Sequence, residues 1–322
     1  MSLFSFEYKK VLEAVGQYQN FLIVSSPPDG DSIGSTLAFS AYLTSLKKSH
    51  KIFCRLSVPA SLVFMPGSEK IETDLKSLSP EKFDCVIVFD AGDLKYAGII
   101  KYLESAEPRP YVINIDHHTY NEMFGDLNVI NAAASSTTQV LYDYFQTNRI
   151  QVTKDMATCL LVGILTDTGG FSNPATTLES LDISAELVKR GVRFNKIAAQ
   201  TLKNKSIKSL RLWGEALMRL RLNKELGIAT TVILQDDLKN FDTDEDSVEG
   251  IANFLNNLNG VKAVIVLKEL EGGKIKGSLR TSRADTDVSR LAVAMGGGGH
   301  QKAAGFKVDL KLLKDGNTWR VE

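Results

Sequence analysis

The stretch FLIVSSPPDGDSIGSTLAFSAYLTSLK, residues 21–47, contains two hydrophobic patterns that meet at an acidic turn. Residues 21–25 form a short apolar run, which predicts a buried strand. Residues 32–47 carry apolar side chains at helical spacing, and Asp31 or Ser32 can cap the start of this predicted helix. A buried strand that leads directly into a helix is the repeating unit of parallel sheets covered by helices.

The same alternation continues through the first 190 residues. Short β-branched or aromatic runs predict further strands at 51–58, 85–90 and 111–116, and helical patterns occupy residues 137–146, 155–167 and 178–189. We therefore expect an α/β fold, in which a mostly parallel sheet has helices on both faces. In such a sheet, ligands bind beyond the carboxyl ends of the strands.

A second, smaller α/β unit is predicted after a basic segment. Residues 190–211 contain seven basic side chains and no acidic one, and we interpret them as a connecting helix. A hairpin (218–222 and 228–234), an acidic loop (242–249), strands at 261–267 and 275–280, and a glycine-rich loop before a strand at 303–308 follow. This pattern predicts a first domain at 1–190, a linker helix at 191–215 and a second domain at 216–322.

The composition excludes some classes of protein. The 322 residues include 38 basic and 38 acidic side chains, so a general polyanion-coating role, which needs a strongly basic surface, is not supported. Three widely spaced cysteines in apolar runs indicate reduced thiols. The first residues lack a signal-peptide pattern, and no apolar stretch reaches the ~18–20 residues of a membrane span. We expect a cytoplasmic protein without membrane contact.

Four acidic clusters lie where predicted apolar elements end: Asp29 with Asp31, Asp90, Asp116-His117-His118, and Asp167. A carboxylate at the end of a buried strand is costly unless something neutralises it. Each aspartate taken alone is also explained by an acidic turn, a helix cap or a helix end. The two adjacent histidines favour metal ligation, because imidazole and carboxylate groups together are typical ligands of divalent ions.

In their order and spacing, these clusters resemble the motifs of the DHH phosphoesterase superfamily. The resemblance continues with SLRTSR (278–283) and GGGGHQKAAG (296–305), which are similar to the DHH-associated substrate-binding domain, so that it spans about residues 20–308. The compact length and the second pair of motifs are most similar to the subfamily of nanoRNases (oligoribonucleases) and 3′-phosphoadenosine 5′-phosphate phosphatases.

The resemblance implies a dinuclear metal centre. Its ligands would be Asp29, Asp31, Asp90, His117 and Asp167, and the two divalent ions would be Mn²⁺, with Mg²⁺ or Co²⁺ as alternatives. Asp90 would bridge the ions and act in catalysis, and Asp116 would orient its neighbours. His118 would lie near the scissile phosphate or support His117. Such a centre activates water for in-line displacement at phosphorus.

The resemblance also implies a substrate-binding set in the second domain: Arg280, Ser282, Arg283, Gly297, Gly298, Gly299 and His300. Glycine backbone can approach a phosphate closely, and arginine grips phosphate oxygens in a bidentate way. The alternatives are a plain flexible loop and a structural histidine. The implied substrates are short RNA or DNA oligonucleotides, including linear dinucleotides, or the nucleotide bisphosphate. A homodimer is one possible assembly.

One departure from the subfamily pattern affects the metal centre. Subfamily members have a metal-ligating histidine four residues before the first motif aspartate, where this chain has Ser25. Two alternatives therefore stay open beside the nucleotide phosphoesterase. The first is a hydrolase of inorganic pyrophosphate or polyphosphate, and the second is a catalytically weakened nucleotide-binding sensor.

Overall fold

The apolar runs of the first 130 residues pair into one parallel sheet. The computed structural model describes residues 4–78, 83–202, 205–315 and 318–321. The strands are β1 (Asn20–Ser25), β2 (Ser49–Cys54), β3 (Ile71–Glu72), β4 (Cys85–Phe89), β5 (Tyr111–Asp116) and β6 (Leu127–Ile130). They lie in the order β3-β2-β1-β4-β5-β6, and every neighbouring pair is parallel.

Helices cover both faces of this sheet. They are α1 (Ser5–Gln17), α2 (Gly30–Ser45), α3 (Leu94–Ala97), α4 (Ile100–Ser105), α5 (Thr137–Thr147), α6 (Lys154–Asp167), α7 (Leu178–Lys189) and α8 (Phe194–Thr201). Phe21 and Ile23 of β1 pack in one hydrophobic cluster, and Leu22 and Val24 pack in another. Because alternate side chains of a strand point to opposite faces, the apolar run of β1 supplies two cores.

The predicted fold class is confirmed, with small differences at the ends of elements. Strand β2 ends at Cys54, four residues before the predicted end, because its partner β1 ends at Ser25, which is opposite Cys54. Helix α2 begins two residues before its predicted start. Its cap is Asp29, whose side chain accepts hydrogen bonds from the backbone of Asp31 and Ser32.

The second unit has a mixed sheet. Its elements are α9 (Ile207–Met218), β7 (Arg221–Asn223), β8 (Ile228–Ile233), α10 (Gln235–Asn240), α11 (Ile251–Leu255), β9 (Ala263–Glu269), β10 (Ile275–Arg280), α12 (Ser289–Ala294), β11 (Gly298–His300), β12 (Ala303–Val308), β13 (Leu312–Asp315) and β14 (Thr318–Val321). The sheet order is β11-β12-β10-β9-β8-β7, and β13 pairs with β14 separately. Strands β8 and β9 are parallel, and the other pairs are antiparallel.

The two compact units are Met1–Asn204 and Lys205–Glu322. The segment predicted as one linker helix, 191–215, contains α8 and most of α9, and residues 203 and 204 of it lie outside the described residues. The predicted hairpin strand at 218–222 is wrong at its start, because Met218 ends α9 and the strand begins at Arg221. Among the described helices, none has both the length and the apolar character that crossing a bilayer requires.

Candidate metal centre

Strands β1 and β4 lie side by side at the middle of the first sheet, where the strand order reverses direction. Ligands of such sheets bind at this switch point, beyond the carboxyl ends of the strands. The loop after β1 carries Asp29 and Asp31, and Asp90 follows β4 directly. Strand β5, next to β4, ends at Asp116. The topology therefore brings three of the four predicted acidic clusters to one edge.

His117 lies at the centre of the first group of ligands. Its Nε2 atom is 3.2 Å from Asp167 Oδ2, 3.7 Å from Asp90 Oδ1 and 3.8 Å from Asp31 Oδ2. Its Nδ1 atom is 3.4 Å from the Ala134 carbonyl oxygen, which can only accept a hydrogen bond. That contact places the proton of the neutral ring on Nδ1, so the Nε2 lone pair faces the three carboxylates. This arrangement fits a divalent cation.

Asp90 belongs to two groups of close donor atoms. In one it is joined by Asp31 and His117, and in the other by Asp116 and His118; the donor atoms within each group lie within 4.8 Å of one another. His118 Nδ1 is 2.7 Å from Asp116 Oδ1 and 3.6 Å from Asp90 Oδ1. A carboxylate shared by two groups can bridge two cations. Asp90 also adopts a left-handed backbone conformation with φ of 58°, which is typical of functional sites in non-glycine residues.

Asp29 combines the capping and the candidate ligand roles. Its Oδ1 atom accepts hydrogen bonds from the Asp31 and Ser32 backbone N–H groups, at 3.0 and 2.8 Å. Within the described part of the chain, these bonds leave the Oδ2 atom free, and the side chain is exposed beside the buried group. The structural and functional explanations for this residue are therefore compatible.

The sequence reasoning missed the amino end of α5. The Asp31 carboxylate accepts hydrogen bonds from Thr137 N at 2.6 Å, Thr138 N at 2.8 Å and Thr138 Oγ1 at 2.7 Å. Thr137 Oγ1 donates to Asp90 Oδ1 at 3.0 Å, and Ser26 Oγ donates to Asp90 Oδ2 at 3.2 Å. The available signal was four consecutive hydroxyl residues, 135–138, all buried at the start of a helix. Within this run, Thr137 and Thr138 supply the donors that hold the carboxylates of Asp31 and Asp90 in fixed orientations.

Glycines let α2 and α6 approach closely enough to join the site. A Cβ atom on Gly30 would lie 2.2 Å from Thr166 Oγ1, next to Asp167 at the end of α6. A Cβ atom on Gly163 would lie 2.4 Å from the Thr138 side chain and 2.7 Å from Asp31 Oδ1. Real Cβ atoms do not make such contacts, so these positions require glycine. The fourth acidic cluster thereby joins the other three.

The buried carboxylates of the site carry more negative charge than the neighbouring protein groups neutralise. Burial, followed by the negative charges of Asp31 and Asp29, raises the pKa of Asp90 and of Asp167 well above its ordinary value. Burial lowers the pKa of His117, which keeps this ring neutral. A bound cation would stabilise the ionised carboxylates and the neutral imidazole together. The neutral His117 ring is therefore ready to bind a metal ion, and the carboxylates reach their ionised form when a cation displaces their protons.

Asp116 and His118 form a separate ion pair at the edge of this group. Burial disfavours the Asp116 carboxylate, but hydrogen bonds and charge from His118 outweigh burial and hold the pKa of Asp116 at about 2. Burial also disfavours the charged form of His118, but the bond to Asp116 outweighs it and raises the pKa of His118. Asn121 Nδ2 donates to Asp116 Oδ2 at 2.7 Å. The pair supplies a positively charged imidazole beside the carboxylates.

Ser25 is fully buried at the end of β1, and its hydroxyl group donates to the Ser26 carbonyl oxygen at 3.0 Å. This side chain is satisfied by backbone and provides no imidazole. Side chains that can ligate a metal ion are therefore more numerous around Asp31, Asp90, His117 and Asp167 than around Asp29.

In the second unit, the predicted arginines have protein partners. Arg280 Nε donates to Asn253 Oδ1 at 2.6 Å, and Arg283 contacts both oxygens of Asp285, at 2.8 and 2.5 Å. Ser282 is exposed between them. A substrate phosphate would therefore have to replace Asp285 to engage the bidentate face of Arg283.

The predicted glycine-rich loop is partly a strand: Gly296 and Gly297 lie outside helices and strands, whereas Gly298 and Gly299 are in a strand. Gly298–His300 form edge strand β11, paired with β12. A Cβ atom on Gly297 would lie 2.1 Å from the Gly305 carbonyl oxygen, and one on Gly299 would lie 2.6 Å from the Ala303 carbonyl oxygen. A Cβ atom on Gly298 would meet open space. Backbone packing therefore accounts for two of the glycines, and Gly298 is left accessible.

Comparisons with known proteins agree with this geometry. The profile described as "DHH family, N-terminal domain" matches residues 20–164, and that of the DHHA1 domain matches residues 226–316. The bifunctional oligoribonuclease and PAP phosphatase NrnA of Thermus thermophilus is 31% identical over 92% of this chain and 86% of its own length. The chain belongs to the DHH family. Accordingly it is a metal-dependent phosphoesterase, a hydrolase of phosphoester bonds.

Two further relatives of this DHH protein cover most of both chains. The NrnA of Bacillus subtilis is 25% identical over 87% of this chain and 86% of its own length. The crystal structure of an exopolyphosphatase-related protein from Bacteroides fragilis has a TM-score of 0.83 and 27% identity, and covers 94% of this chain and 91% of its own. The similarity thus includes both units.

Proposed function

We propose that the protein hydrolyses short oligonucleotides and 3′-phosphoadenosine 5′-phosphate, using water activated by two divalent cations, with Mn²⁺ as the preferred ion. The observation that carries this proposal is the convergence of Asp31, Asp90 and Asp167 on His117 Nε2, within 3.2–3.8 Å. The names of the relatives from Thermus thermophilus and Bacillus subtilis support the choice of substrates.

The proposed ligand assignment places Asp90 in both cation sites and leaves the Asp116–His118 pair outside the ligand set. One cation would be held by Asp31, Asp90, His117 and Asp167, and the second by Asp29 and the remaining oxygen of Asp90. When bound, the ions lower the pKa of a water molecule and neutralise charge on the phosphate. Thr137 and Thr138 keep the carboxylates oriented through the bonds described above. These side chains therefore need little rearrangement when the substrate binds.

The hydrogen bond between His118 and Asp116 indicates which ring nitrogen of His118 can donate a proton to the substrate. The Asp116 carboxylate accepts a hydrogen bond from His118 Nδ1, which leaves Nε2 as the second proton-bearing atom of the imidazolium. The raised pKa of His118 keeps a charged population near neutral pH. We propose that Nε2 donates to a phosphate oxygen or to the leaving oxygen, and that Asp116 acts by orienting this ring.

For the second unit, we propose that Arg280, Ser282, Arg283, Gly298 and His300 bind the rest of the substrate. Gly297 and Gly299 contribute by allowing β11 to pack against β12. We also propose a cytoplasmic location, which is supported by three buried free thiols, at Cys54, Cys85 and Cys159.

The test is hydrolysis of 5′-labelled diadenylate and of 3′-phosphoadenosine 5′-phosphate by metal-stripped protein, before and after addition of Mn²⁺, Mg²⁺ or Co²⁺. We expect release of mononucleotide from the first substrate and of phosphate from the second only after a cation is added, with the highest rate for Mn²⁺. Binding of Mn²⁺ and of diadenylate without turnover would overturn the proposal in favour of a nucleotide sensor.

A second candidate function is hydrolysis of inorganic polyphosphate, because one similar solved structure is described as exopolyphosphatase-related. Pyrophosphate and polyphosphate of about ten units serve as the competing substrates in the same assay. A kcat/KM for either that exceeds the value for diadenylate would favour this second function.

A further inference from the structure

A cationic aromatic pair lies beside the metal centre, at the carboxyl edge of the same sheet. Arg55 directly follows β2, which neighbours β1, and Tyr96 lies on α3, which begins shortly after Asp90. The guanidinium carbon of Arg55 is 5.6 Å from the centroid of the Tyr96 ring. Neither residue belongs to the motifs that point to the metal site.

Contacts that involve the backbone hold both residues in place. The Asp93 carboxylate accepts a hydrogen bond from Tyr96 N at 2.6 Å and thereby fixes the start of α3. The stem of Arg55 packs on the backbone of Gly98, where a Cβ atom would lie 3.0 Å from Arg55 Cδ. Pre-organised side chains lose less entropy when a ligand binds.

Contacts connect the pair to the loop that carries the metal ligands. Cys54, the residue before Arg55, donates from Sγ to the Ser26 carbonyl oxygen at 3.4 Å, and Ser26 Oγ in turn donates to Asp90. Burial, followed by the charges of Asp29 and Asp90, raises the pKa of Tyr96 to about 12. The phenol is therefore neutral and lies within electrostatic range of the carboxylates.

The outer parts of the pair are open to solvent. Tyr96 is 46% exposed, and Arg55 is also exposed. Among the described residues, no carboxylate forms an ion pair with the Arg55 guanidinium. The exposed Arg55 guanidinium lies over the exposed Tyr96 ring, and guanidinium and aromatic groups are both groups on which nucleobases stack.

We propose that the Arg55–Tyr96 pair is a nucleoside-binding subsite, on which a base of the substrate stacks while its phosphate lies at the metal centre. This inference rests on the proposed function and deepens it. It assigns to the first unit a preference for nucleotides over inorganic phosphates. Loss of one base–aromatic stack weakens affinity about 5- to 150-fold in single-strand binding proteins, which is enough to select substrates.

The chain offers a matched control for this pair. Lys10 Nζ lies 4.5 Å from the centroid of the Phe6 ring, which is 62% exposed on α1. Helix α1 packs against the carboxyl end of α5, through Tyr8 on Tyr144, whereas the amino end of α5 holds Asp31. Phe6→Leu therefore removes an exposed aromatic of a cation–π pair far from the site.

The experiment compares diadenylate with an abasic dinucleotide of the same phosphodiester backbone, for wild type, Tyr96→Leu, Tyr96→Phe, Arg55→Met and Phe6→Leu. We expect Tyr96→Leu and Arg55→Met to raise KM for diadenylate about tenfold with kcat nearly unchanged, and to leave the abasic substrate unaffected. Tyr96→Phe should retain most of the affinity, and Phe6→Leu should behave as wild type.

An unchanged KM for diadenylate in Tyr96→Leu would overturn the subsite. An equal loss with the abasic substrate would also overturn it, since it would indicate a structural role for the pair. If wild type does not hydrolyse diadenylate, the proposed function fails by itself. The same comparison is then made as calorimetric binding of diadenylate in the presence of Ca²⁺, where a tenfold weaker affinity of Tyr96→Leu still supports the subsite and equal affinities contradict it.

Discussion

The two sets of family motifs lie at the carboxyl edge of the first sheet and at the glycine-rich edge of the second sheet. Like charges face one another at the first edge, whereas opposite charges are paired at the second. At the first edge, burial, followed by the negative charges of neighbouring carboxylates, raises the pKa values of Asp90 and Asp167. At the second edge, Arg283 already contacts Asp285 and Gly297 fills a packing position. Buried like charges are stabilised by a bound cation, whereas paired opposite charges are stable without a ligand. The first edge is therefore the stronger evidence for function.

The largest expected effect comes from removing the shared carboxylate. Asp90→Asn should lower kcat/KM by about 10³-fold or more, because both groups of donor atoms lose a charged member. Asp84→Asn is the matched control, since Asp84 precedes the same strand and bonds the backbone of Gln19 and Asn20 at the opposite edge. Steady-state hydrolysis of diadenylate measures both variants, and equal activities would break the comparison between the two edges.

The donors of α5 should matter next. Thr137→Val removes the hydroxyl bond to Asp90 with little change in shape, and should weaken Mn²⁺ binding about 10–100-fold. Thr137→Ser should restore most of this affinity. Thr158→Val serves as control, because the Thr158 hydroxyl bonds only the Lys154 carbonyl oxygen of its own helix. Calorimetric titration with Mn²⁺ gives the affinities, and a Thr137→Val affinity equal to that of wild type would show that α5 does not position the ligands.

Substitutions at two neighbouring glycines distinguish a packing role from a substrate-binding role at the second edge. Gly297→Ala should lower Tm by about 5–10 °C, since its Cβ atom would overlap the Gly305 carbonyl oxygen. Gly298→Ala should leave Tm unchanged and raise KM about threefold if its backbone approaches a phosphate. Thermal unfolding and steady-state kinetics measure the two effects. A Gly298→Ala protein with unchanged KM would remove this glycine from the proposed substrate-binding set.

The last expected effect is a pH dependence, which is confined to the first edge. Because the native pKa values of Asp90 and Asp167 lie above those of the unfolded chain, the metal-free native state binds more protons, and its stability falls as pH rises through the raised native values. Cation binding displaces these protons, so Mn²⁺ affinity should rise as pH rises through the raised native pKa values, by up to tenfold per pH unit for each proton displaced. Calorimetry in buffers of different ionisation enthalpy counts the protons, and a pH-independent affinity would contradict the charge imbalance.

The sequence predicted the first edge well because a parallel sheet collects strand ends at one place. Buried apolar runs placed Asp90 and Asp116 at such ends, so their proximity followed from topology. The contacts of Thr137 and Thr138 could not be predicted in the same way, since their backbone N–H groups and the Thr138 hydroxyl group donate to Asp31, more than 100 positions away along the chain. The second edge was predicted less accurately, because a glycine run permits a loop and a close-packed strand equally.

The most direct test of the account is electron paramagnetic resonance of Mn²⁺ bound to wild type and to Asp90→Asn. The two proposed ligand sets, which share Asp90, predict two bound ions whose spectrum is coupled at saturation, and predict that the coupling disappears in Asp90→Asn. A single uncoupled ion in wild type, or a coupled pair that persists without the Asp90 carboxylate, would contradict the assignment of this edge as a dinuclear centre bridged by Asp90.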